Sequence, residues 1–377
     1  MKSTTQLFSE EERIRYSRHF VLPGFGEKSQ ARLRQSKVLV VGAGGLGAPV
    51  LYYLAAAGIG TLGIADPDNV TLSNLQRQIL FTTEDLGLGK VNQALLRLKA
   101  INPEVSLVGI PDYINSKNAL EILASYDLVV DATDNFPARY LLNDACVILH
   151  KPLIYGSVFR YEGQVSVFNF QDGPTYRDLY PLPPVPGAVP DCEQGGVLGV
   201  LPGIIGSIQA NEVIKVLTGL GEPLSGKLLV LDSLTMESQI ISLPKKQKQS
   251  ITNLIDYDQF CGLASTELRG NPMKEVTVQE LKQWMDTAVD FQLIDVREIH
   301  EFDIANLEGE LIPMAEVPHQ VDQISKTKKV VIHCRSGGRS ANMIQWLEKN
   351  HGFTNLYNLK GGILAWADQI DPDMEKY

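Results

Sequence analysis

The sequence Lys-Val-Leu-Val-Val-Gly-Ala-Gly-Gly-Leu-Gly at residues 37–47 decides the fold of the first part of the chain. Its apolar run stops at glycines and a helical pattern follows, which predicts a buried strand, a tight turn and a helix start. Gly42, Gly44 and Gly47 have the spacing G-x-G-x-x-G, which suits a tight turn, a backbone close to phosphate and a closely packed helix. With Gly45 they predict a nucleotide site; the alternative is a purely structural turn.

A carboxylate is predicted beside this turn. Residues 61–65 have the pattern of a second strand, and Asp66 follows it directly, where it can accept hydrogen bonds from a ribose. The free N–H groups at the helix start, aided by the helix dipole, face whatever anion binds there.

The composition is that of an ordinary globular protein. The 377 residues suggest two domains, and 44% hydrophobic with 21% charged residues provide an ample core. A net charge of −10 argues against a general nucleic-acid-binding surface. The first residues do not have the pattern of a secretory signal peptide, and no apolar run is long enough to span a bilayer. We therefore expect a cytoplasmic protein without membrane contact.

Alternating strand and helix patterns over residues 1–245 predict a Rossmann-like, doubly wound and mostly parallel α/β sheet. Residues 246–274 are predicted to be a polar connector with a semi-apolar patch at 254–263 that docks on a domain. Residues 275–377 predict a small, independent α/β domain. The proline-rich stretch 172–196 is predicted to be a long loop, since prolines exclude helix and central strand.

A second candidate site is the run Val-Val-Ile-His-Cys-Arg-Ser-Gly-Gly-Arg-Ser-Ala at residues 330–341. It predicts a strand, a six-residue loop beginning at Cys334, and a helix. Successive N–H groups of such a loop form an anion nest, and Arg335 and Arg339 add positive charge, which favours ionisation of the thiol. The alternative, a buried cysteine at a strand end, does not suit two arginines and two glycines.

This second site resembles the rhodanese family of sulfurtransferases over about residues 275–370, through Cys-Arg-x-Gly-x-Arg at 334–339. The stretches Ile-Asp-Val-Arg-Glu at 294–298 and Gly-Gly-Ile-Leu-Ala-Trp at 361–366 match the family's flanking pattern. The resemblance implies that Cys334 carries sulfur as a persulfide, whose charge the loop amides and Arg339 stabilise. Asp295 and Arg297 would orient the loop, and His333 would be turned away from it.

Polar residues near the glycine turn indicate which nucleotide binds. Arg77 and Lys90 supply cations for a polyphosphate, Asn74 a neutral donor, and Asp134 a hard oxygen ligand for Mg²⁺. Each residue also has an interpretation without a ligand. Arg77 and Lys90 could lie on a solvated surface, and Asp134 could cap a helix. A dehydrogenase would also bind a nucleotide here, but together these residues favour ATP.

Residues 9–243 resemble the MoeB/ThiF group, which activates ubiquitin-like sulfur carriers. The matching stretches are 15–18, 42–47, 66–68, 73–78, 89–90, 131–135 and 206–210. The resemblance implies that ATP lies along residues 42–47 with Asp66 on the ribose; Asn74, Arg77 and Lys90 would hold phosphates and Asp134 the Mg²⁺. Arg18 would reach the phosphates of the partner subunit's site, which makes the enzyme a homodimer.

The four cysteines, Cys146, Cys192, Cys261 and Cys334, form no Cys-x-x-Cys pair, which argues against a disulfide framework and a zinc knuckle. Many MoeB/ThiF relatives hold zinc with two such pairs, but the corresponding stretches are Thr-Tyr-Arg-Asp at 175–178 and Asp-Gln-Phe-Cys at 258–261, so no structural zinc is expected. Cys192 is either a covalent participant or a loop cysteine near the carrier tail. Cys146 is expected in the core and Cys261 at a connector contact.

These resemblances imply a two-domain enzyme. The first domain would adenylate the terminal glycine of a MoaD- or ThiS-type carrier ending in Gly-Gly. The second would deliver sulfur from a Cys334 persulfide, charged by a cysteine desulfurase or by thiosulfate, to give a thiocarboxylate for molybdenum cofactor or thiamine biosynthesis. The rival hypotheses are a carrier-binding scaffold with a vestigial adenylation site and a nicotinamide oxidoreductase.

Overall fold

The computed structural model describes residues 7–184, 195–245, 251–261, 273–314 and 316–376. These residues form two compact units, which divide after Tyr257. The division falls within the predicted connector. No helix in the described ranges has both the length and the apolar character needed to cross a bilayer.

The first unit is built on one eight-stranded sheet with the order β3-β2-β1-β4-β5-β6-β7-β8. The pairs from β3 to β5 are parallel, and those from β5 to β8 are antiparallel. The strands are β1 (Lys37–Val41), β2 (Thr61–Ala65), β3 (Ser106–Ile110), β4 (Leu128–Asp131), β5 (Leu153–Phe159), β6 (Glu162–Phe168), β7 (Lys227–Asp232) and β8 (Ser238–Ser242).

Helices cover this sheet and connect its parallel strands, as the predicted α/β class requires. The helices of this part of the chain are α1 (Glu10–Arg15), α2 (Ser17–Phe20), α3 (Gly26–Gln35), α4 (Gly47–Ala57), α5 (Lys90–Ile101), α6 (Ala119–Ala124), α7 (Phe136–Ile148), α8 (Tyr176–Leu179), α9 (Leu201–Thr218) and α10 (Tyr257–Phe260). Helix α9 packs on α4, β5 and β6.

The core of the first unit lies around β1 and α4. Leu51 and Leu54 of α4 are fully buried, and each contributes about 1.5–3 kcal/mol by leaving water. The start of α4 lies very close to the glycine turn, since a Cβ on Gly47 would stand only 1.9 Å from the Gly42 carbonyl oxygen. Only a residue without a Cβ permits this approach. Gly42 itself has a φ of 97°, a conformation that favours glycine. The glycine spacing therefore has the steric basis that the sequence predicts.

One local prediction was wrong. The stretch predicted as irregular contains the single-turn helix α8, which fits between Pro174 and Pro181 because Asp178 caps it by accepting from the Thr175 N–H and hydroxyl.

The second unit has a five-stranded parallel sheet with the order β11-β10-β12-β13-β9. Its strands are β9 (Glu275–Val276), β10 (Phe291–Asp295), β11 (Glu310–Leu311), β12 (Lys329–His333) and β13 (Leu356–Leu359). Its helices are α11 (Val278–Asp286), α12 (Ile299–Ile304), α13 (Gly338–His351) and α14 (Gly362–Gln369). Apolar clusters lie on both faces of the sheet. The predicted fold class is confirmed in both units.

Candidate active sites

A cavity of about 330 Å³ opens at the carboxyl ends of the parallel strands of the first unit. An open α/β sheet binds ligands at this edge. Seven predicted site residues line the cavity: Gly42, Gly44, Gly45, Asp66, Arg77, Lys90 and Asp134. Gly47, Asn74 and Arg18 are not among its lining residues. Arg18 is exposed on α2.

Asp66 joins the glycine turn to a buried cation. Its carboxylate accepts the N–H groups of Ala43 at 2.8 Å and Asp68 at 2.9 Å, and burial raises its pKa against the opposing effect of Lys90. The Lys90 ammonium, with a side chain 5% exposed, lies 2.8 Å from the Asp68 carboxylate and 3.8 Å from that of Asp66. Sequence reasoning did not select Asp68 as a site residue. The stretch Asp-Pro-Asp at 66–68, which places a second carboxylate two residues after Asp66, could have indicated it.

The loop before α5 carries the other predicted phosphate ligands. Arg77 donates to the Ser73 carbonyl at 2.9 Å, which directs its guanidinium along the loop at the cavity wall. The Asn74 side-chain oxygen accepts from the Thr71 N–H at 3.4 Å, within the single 3-10 turn Leu72–Asn74.

The turn after β4 separates two roles that the sequence left open. Asn135 is the residue that caps α7, since its side-chain oxygen accepts from the Ala138 N–H at 3.0 Å. Asp134 is exposed at the cavity, so its carboxylate is available to a ligand. The turn is held from below by Asp131, which accepts from the Thr133 N–H at 3.0 Å and hydroxyl at 2.6 Å. Burial raises the pKa of Asp131.

A polar cross-link occupies the region where the resemblance places zinc in relatives. Arg177 donates to both carboxylate oxygens of Asp144, at 2.8 and 2.7 Å, and the Tyr257 hydroxyl donates to the same carboxylate at 2.8 Å. In the described ranges no group of three or more His, Cys, Asp or Glu side chains could hold a metal. Cys192, the other predicted reactive thiol, lies outside the described residues.

The second site is the loop between β12 and α13. Cys334 is 1% exposed, and its sulfur accepts from the Gly337 N–H at 3.2 Å and the Ser340 hydroxyl at 3.5 Å. Gly337 has a φ of 97° immediately before α13, which turns its amide inward to the sulfur. Sequence reasoning did not single out Ser340, which is fully buried.

The start of α14 braces this loop. The Ile363 N–H donates to the Cys334 carbonyl and the Leu364 N–H to the Arg335 carbonyl, both at 3.0 Å. A Cβ on Gly362 would lie 2.5 Å from both carbonyl oxygens, so only glycine fits there. This contact is a physical reason for the sequence Gly-Gly-Ile-Leu at residues 361–364.

A chain of ion pairs supports the loop from the other side. Arg339 makes two 2.6 Å bonds to the Glu301 carboxylate. The fully buried Arg297 pairs with Asp295 and donates to the carbonyls of Glu301 and Ala305, which fixes α12. Sequence reasoning missed Glu301, whose only signal is an acidic residue four positions after Arg297.

His333 is buried beside this network. Its Nε2 lies 3.7 Å from the Asp295 carboxylate, and neither ring nitrogen has a hydrogen-bond partner among the described residues. Burial lowers its pKa to about 4, more than Asp295 raises it. The ring is therefore neutral near pH 7.

Comparisons with protein families give a match for each of the two units. Residues 16–253 match the ThiF family, and residues 277–369 match the rhodanese-like domain. The chain belongs to the ThiF family. It is 44% identical to MoeZ of Mycobacterium tuberculosis, described as a probable adenylyltransferase/sulfurtransferase, over 98% of this chain and 96% of MoeZ. It is also 41% identical to the adenylyltransferase and sulfurtransferase MOCS3 of Aedes aegypti, over 100% of this chain and 91% of MOCS3.

This ThiF-family chain is thus an adenylyltransferase and a sulfurtransferase, as its sequence predicts. The rhodanese-like domain carries the second activity. Among solved structures, Escherichia coli MccB in a crystal with ATP has a TM-score of 0.56 at 24% identity, over 63% of this chain and 74% of MccB. At that identity the likeness describes the fold alone.

Proposed function

We propose that the chain adenylates the C-terminal glycine of a ubiquitin-like sulfur carrier ending in Gly-Gly and converts it to a thiocarboxylate. The observation that carries this proposal is the cavity in which Arg77, Lys90 and Asp134 line the same glycine turn. Two cations and one exposed carboxylate suit a magnesium-bound polyphosphate. They do not suit a nicotinamide, which needs no metal ligand beside its phosphates.

In the proposed complex, ATP lies along Gly42, Gly44, Gly45 and Gly47 with its ribose on Asp66. Arg77, Lys90 and Asn74 face the phosphates, and Asp134 holds Mg²⁺, which when bound offsets phosphate charge. The site takes Arg18 from the partner subunit of a homodimer. Structural zinc has no place in the proposal, because Asp144, Arg177 and Tyr257 already cross-link that region.

The first reaction follows from charge. The carrier's terminal carboxylate is ionised near neutral pH, so its attack on the α-phosphorus needs no base. It needs cations that offset repulsion between two anions, and in-line positioning. Arg77, Lys90 and the partner's Arg18 supply that charge in the proposal. Attack forms the acyl-adenylate and releases pyrophosphate.

The second reaction begins at Cys334. A cysteine desulfurase or thiosulfate leaves a sulfane sulfur on its thiolate, held by the loop amides and the charge of Arg339. The outer sulfur attacks the acyl carbon and displaces AMP, which joins the carrier to Cys334 through a disulfide. A thiol then attacks the Cys334 sulfur of that acyl disulfide, which releases the thiocarboxylate and leaves a disulfide between Cys334 and the attacking thiol. We propose Cys192 as this thiol, and an added thiol reductant must reduce the resulting disulfide before the next turnover. Carriers of molybdenum cofactor or thiamine biosynthesis have the required tail.

The test is ATP–pyrophosphate exchange with purified Gly-Gly carriers, followed by mass measurement of the carrier after addition of thiosulfate and a thiol reductant. We expect exchange only with a carrier, and a mass gain that corresponds to replacing one oxygen by sulfur. A carrier lacking its last glycine is the matched control. Carrier binding without exchange for every candidate would instead favour the scaffold hypothesis.

A further inference from the structure

Gln209 is a fully buried polar side chain of α9, in the stretch Gly-Ser-Ile-Gln-Ala at 206–210 that the MoeB/ThiF resemblance includes. It is not among the residues that line the nucleotide cavity. Its Nε2 donates to the Asp131 carbonyl at 2.7 Å and to the Ile154 carbonyl at 3.3 Å. One side chain of α9 therefore joins the carboxyl end of β4 to the neighbouring strand β5.

Two glycines make room for this contact. A Cβ on Gly156 would lie 2.3 Å from the Gln209 Cδ, so a side chain at that position of β5 would displace the carboxamide. A Cβ on Gly206, one turn earlier in α9, would lie 2.4 Å from the Leu46 carbonyl oxygen, so α9 closely approaches the start of α4. The local sequence thus places the Gln209 carboxamide against the end of β4.

The carbonyl that Gln209 holds begins the turn that carries Asp134. The next residue, Ala132, donates its N–H to the last carbonyl of β1 at 2.9 Å, and the Asp131 carboxylate holds the N–H and hydroxyl of Thr133. Each residue between β4 and Asp134 is thus tied either to the sheet or to Asp131. The position of the Asp131 backbone therefore sets where the exposed Asp134 carboxylate stands at the cavity.

Stability alone does not account for the Gln209 amide. Its Oε1 has no hydrogen-bond partner among the described residues, and a buried acceptor without a partner is unfavourable. An apolar side chain of the same length would fill the same space without burying that oxygen. The amide alone supplies the two hydrogen bonds that fix the Asp131 carbonyl relative to β5.

We infer that Gln209 is a positioning residue for the magnesium-bound phosphates: by holding the Asp131 carbonyl, it fixes the position of the Asp134 carboxylate that would hold Mg²⁺. This rests on the proposed function, because it needs Mg²⁺ on Asp134. Loss of a group that holds a metal ligand in place typically lowers metal affinity or activity by about 10–100-fold. Gln209 acts through Asp134 and touches neither nucleotide nor carrier.

The experiment measures binding of a non-hydrolysable ATP analogue to the full chain by calorimetry, once with Mg²⁺ and once with EDTA. Gln209→Met keeps the side-chain length and removes the donor. For the wild type we expect Mg²⁺ to raise the affinity for the analogue. For Gln209→Met we expect the affinity in Mg²⁺ to fall about ten-fold. The affinity in EDTA should be unchanged, because the glycine turn and the cations of the cavity remain.

Asp134→Asn tests whether the effect passes through the metal ligand. This variant should lose the Mg²⁺-dependent gain in affinity, and adding Gln209→Met to it should change the affinity by no more than about two-fold. Gln209→Asn is a second variant of the same residue. Its amide is one methylene too short to reach both carbonyls, so it should give the same selective loss as Gln209→Met.

Gln30→Met is the matched control. Gln30 is also fully buried, and its Nε2 donates to the Ala57 carbonyl at 2.7 Å, but it is not among the residues that line the cavity. Gln30→Met should lower the melting temperature and leave the Mg²⁺-dependent gain intact.

The outcomes separate this inference from the proposed function. Equal losses of affinity in Mg²⁺ and in EDTA for both Gln209 variants, or no loss in either condition, would overturn the inference and leave the proposed function standing. Absence of an Mg²⁺-dependent gain in the wild type would overturn the magnesium site of the proposed function as well.

Discussion

Arg339 and Glu301 form a two-bond ion pair, with both guanidinium nitrogens 2.6 Å from a carboxylate oxygen. The pair joins the sulfur loop to α12, so Arg339 is positioned by a partner on another element. The Arg339 guanidinium, on the residue that ends the sulfur loop, is therefore held in a fixed place, and we expect a change in Glu301 to alter that loop.

Glu301→Gln should lower sulfur transfer from thiosulfate about ten-fold or more, because a charge-assisted pair is worth about 1.5–3 kcal/mol. Adenylation should not change. Asp303→Asn, an exposed charge removal on the same helix, is the control. Equal turnover of Glu301→Gln and wild type would mean that the loop holds Arg339 without its partner.

Cys334→Ala should abolish sulfur transfer while carrier-dependent ATP–pyrophosphate exchange persists, because the two reactions use separate residues. The measurement is exchange and thiosulfate turnover on the same preparation. Cys146→Ala should retain both activities, since Cys146 is fully buried and burial raises its pKa, which keeps it an inert thiol. A parallel loss of exchange in folded Cys334→Ala would refute this division of labour.

Lys90→Gln should lower ATP–pyrophosphate exchange and leave sulfur transfer unchanged. Removing a preorganised cation from a phosphate-binding site costs about 10²–10³ in rate, so exchange should fall by that amount while thiosulfate turnover remains. Lys99→Gln, at the exposed end of the same helix, should leave both activities intact. Exchange at the wild-type rate in Lys90→Gln would exclude Lys90 from the phosphate site.

The stability of the second unit should fall in acid because of His333. Its folded pKa of about 4 lies below the unfolded value of 6.5, so the unfolded chain binds the extra proton as the pH falls through that window. The free energy of unfolding is therefore unaffected by His333 well above pH 6.5, and it falls as the pH decreases from 6.5 toward 4. Between pH 7.5 and 5.5 the loss should be about 1.4 kcal/mol.

Tryptophan fluorescence in urea can measure this, because all three tryptophans, at 284, 346 and 366, lie in the second unit. His333→Leu should remove about that much of the pH dependence. If the wild type and His333→Leu lost stability in parallel, other groups would be responsible.

Tyr257→Phe should destabilise the first unit by about 1 kcal/mol, because Asp144 loses one donor. The melting temperature should fall by about 2–4 °C in calorimetry, and a metal chelator should not lower it in the wild type. Tyr161→Phe, an exposed substitution, is the control. A large chelator effect would show that a metal contributes there.

Much of the fold was predictable because the deciding signals are local. The glycine turn, the strand before it and the alternation of strands and helices depend on residues close in sequence, as does the loop that starts at Cys334. The antiparallel half of the first sheet, β5 to β8, has the same apolar patterns as parallel strands. The direction of these strands depends on the short connections from β5 to β6 and from β7 to β8, and on the long segment with α9 that joins β6 to β7. Composition does not show either.

The supporting residues of both sites were harder to find. Glu301 and Arg339 are 38 positions apart, and Lys90 and Asp68 are 22 apart, so each pair exists only through the fold. Asn135 and Asp134 have adjacent positions and similar cap propensities, and only the turn geometry shows which one caps α7. Sequence reasoning found the supporting pair Asp295 and Arg297, which belongs to a family motif, and it missed Asp68, Glu301 and Ser340, which belong to none that it used.

The brace between Gly362 and the sulfur loop makes the second site depend on residues that come later in the chain. Because the amides of residues 363 and 364 donate to the carbonyls of Cys334 and Arg335, the loop draws two of its backbone hydrogen bonds from α14. A truncation that removes α14 would leave both carbonyls without these donors, while the eight-stranded sheet of the first unit would keep all of its strands.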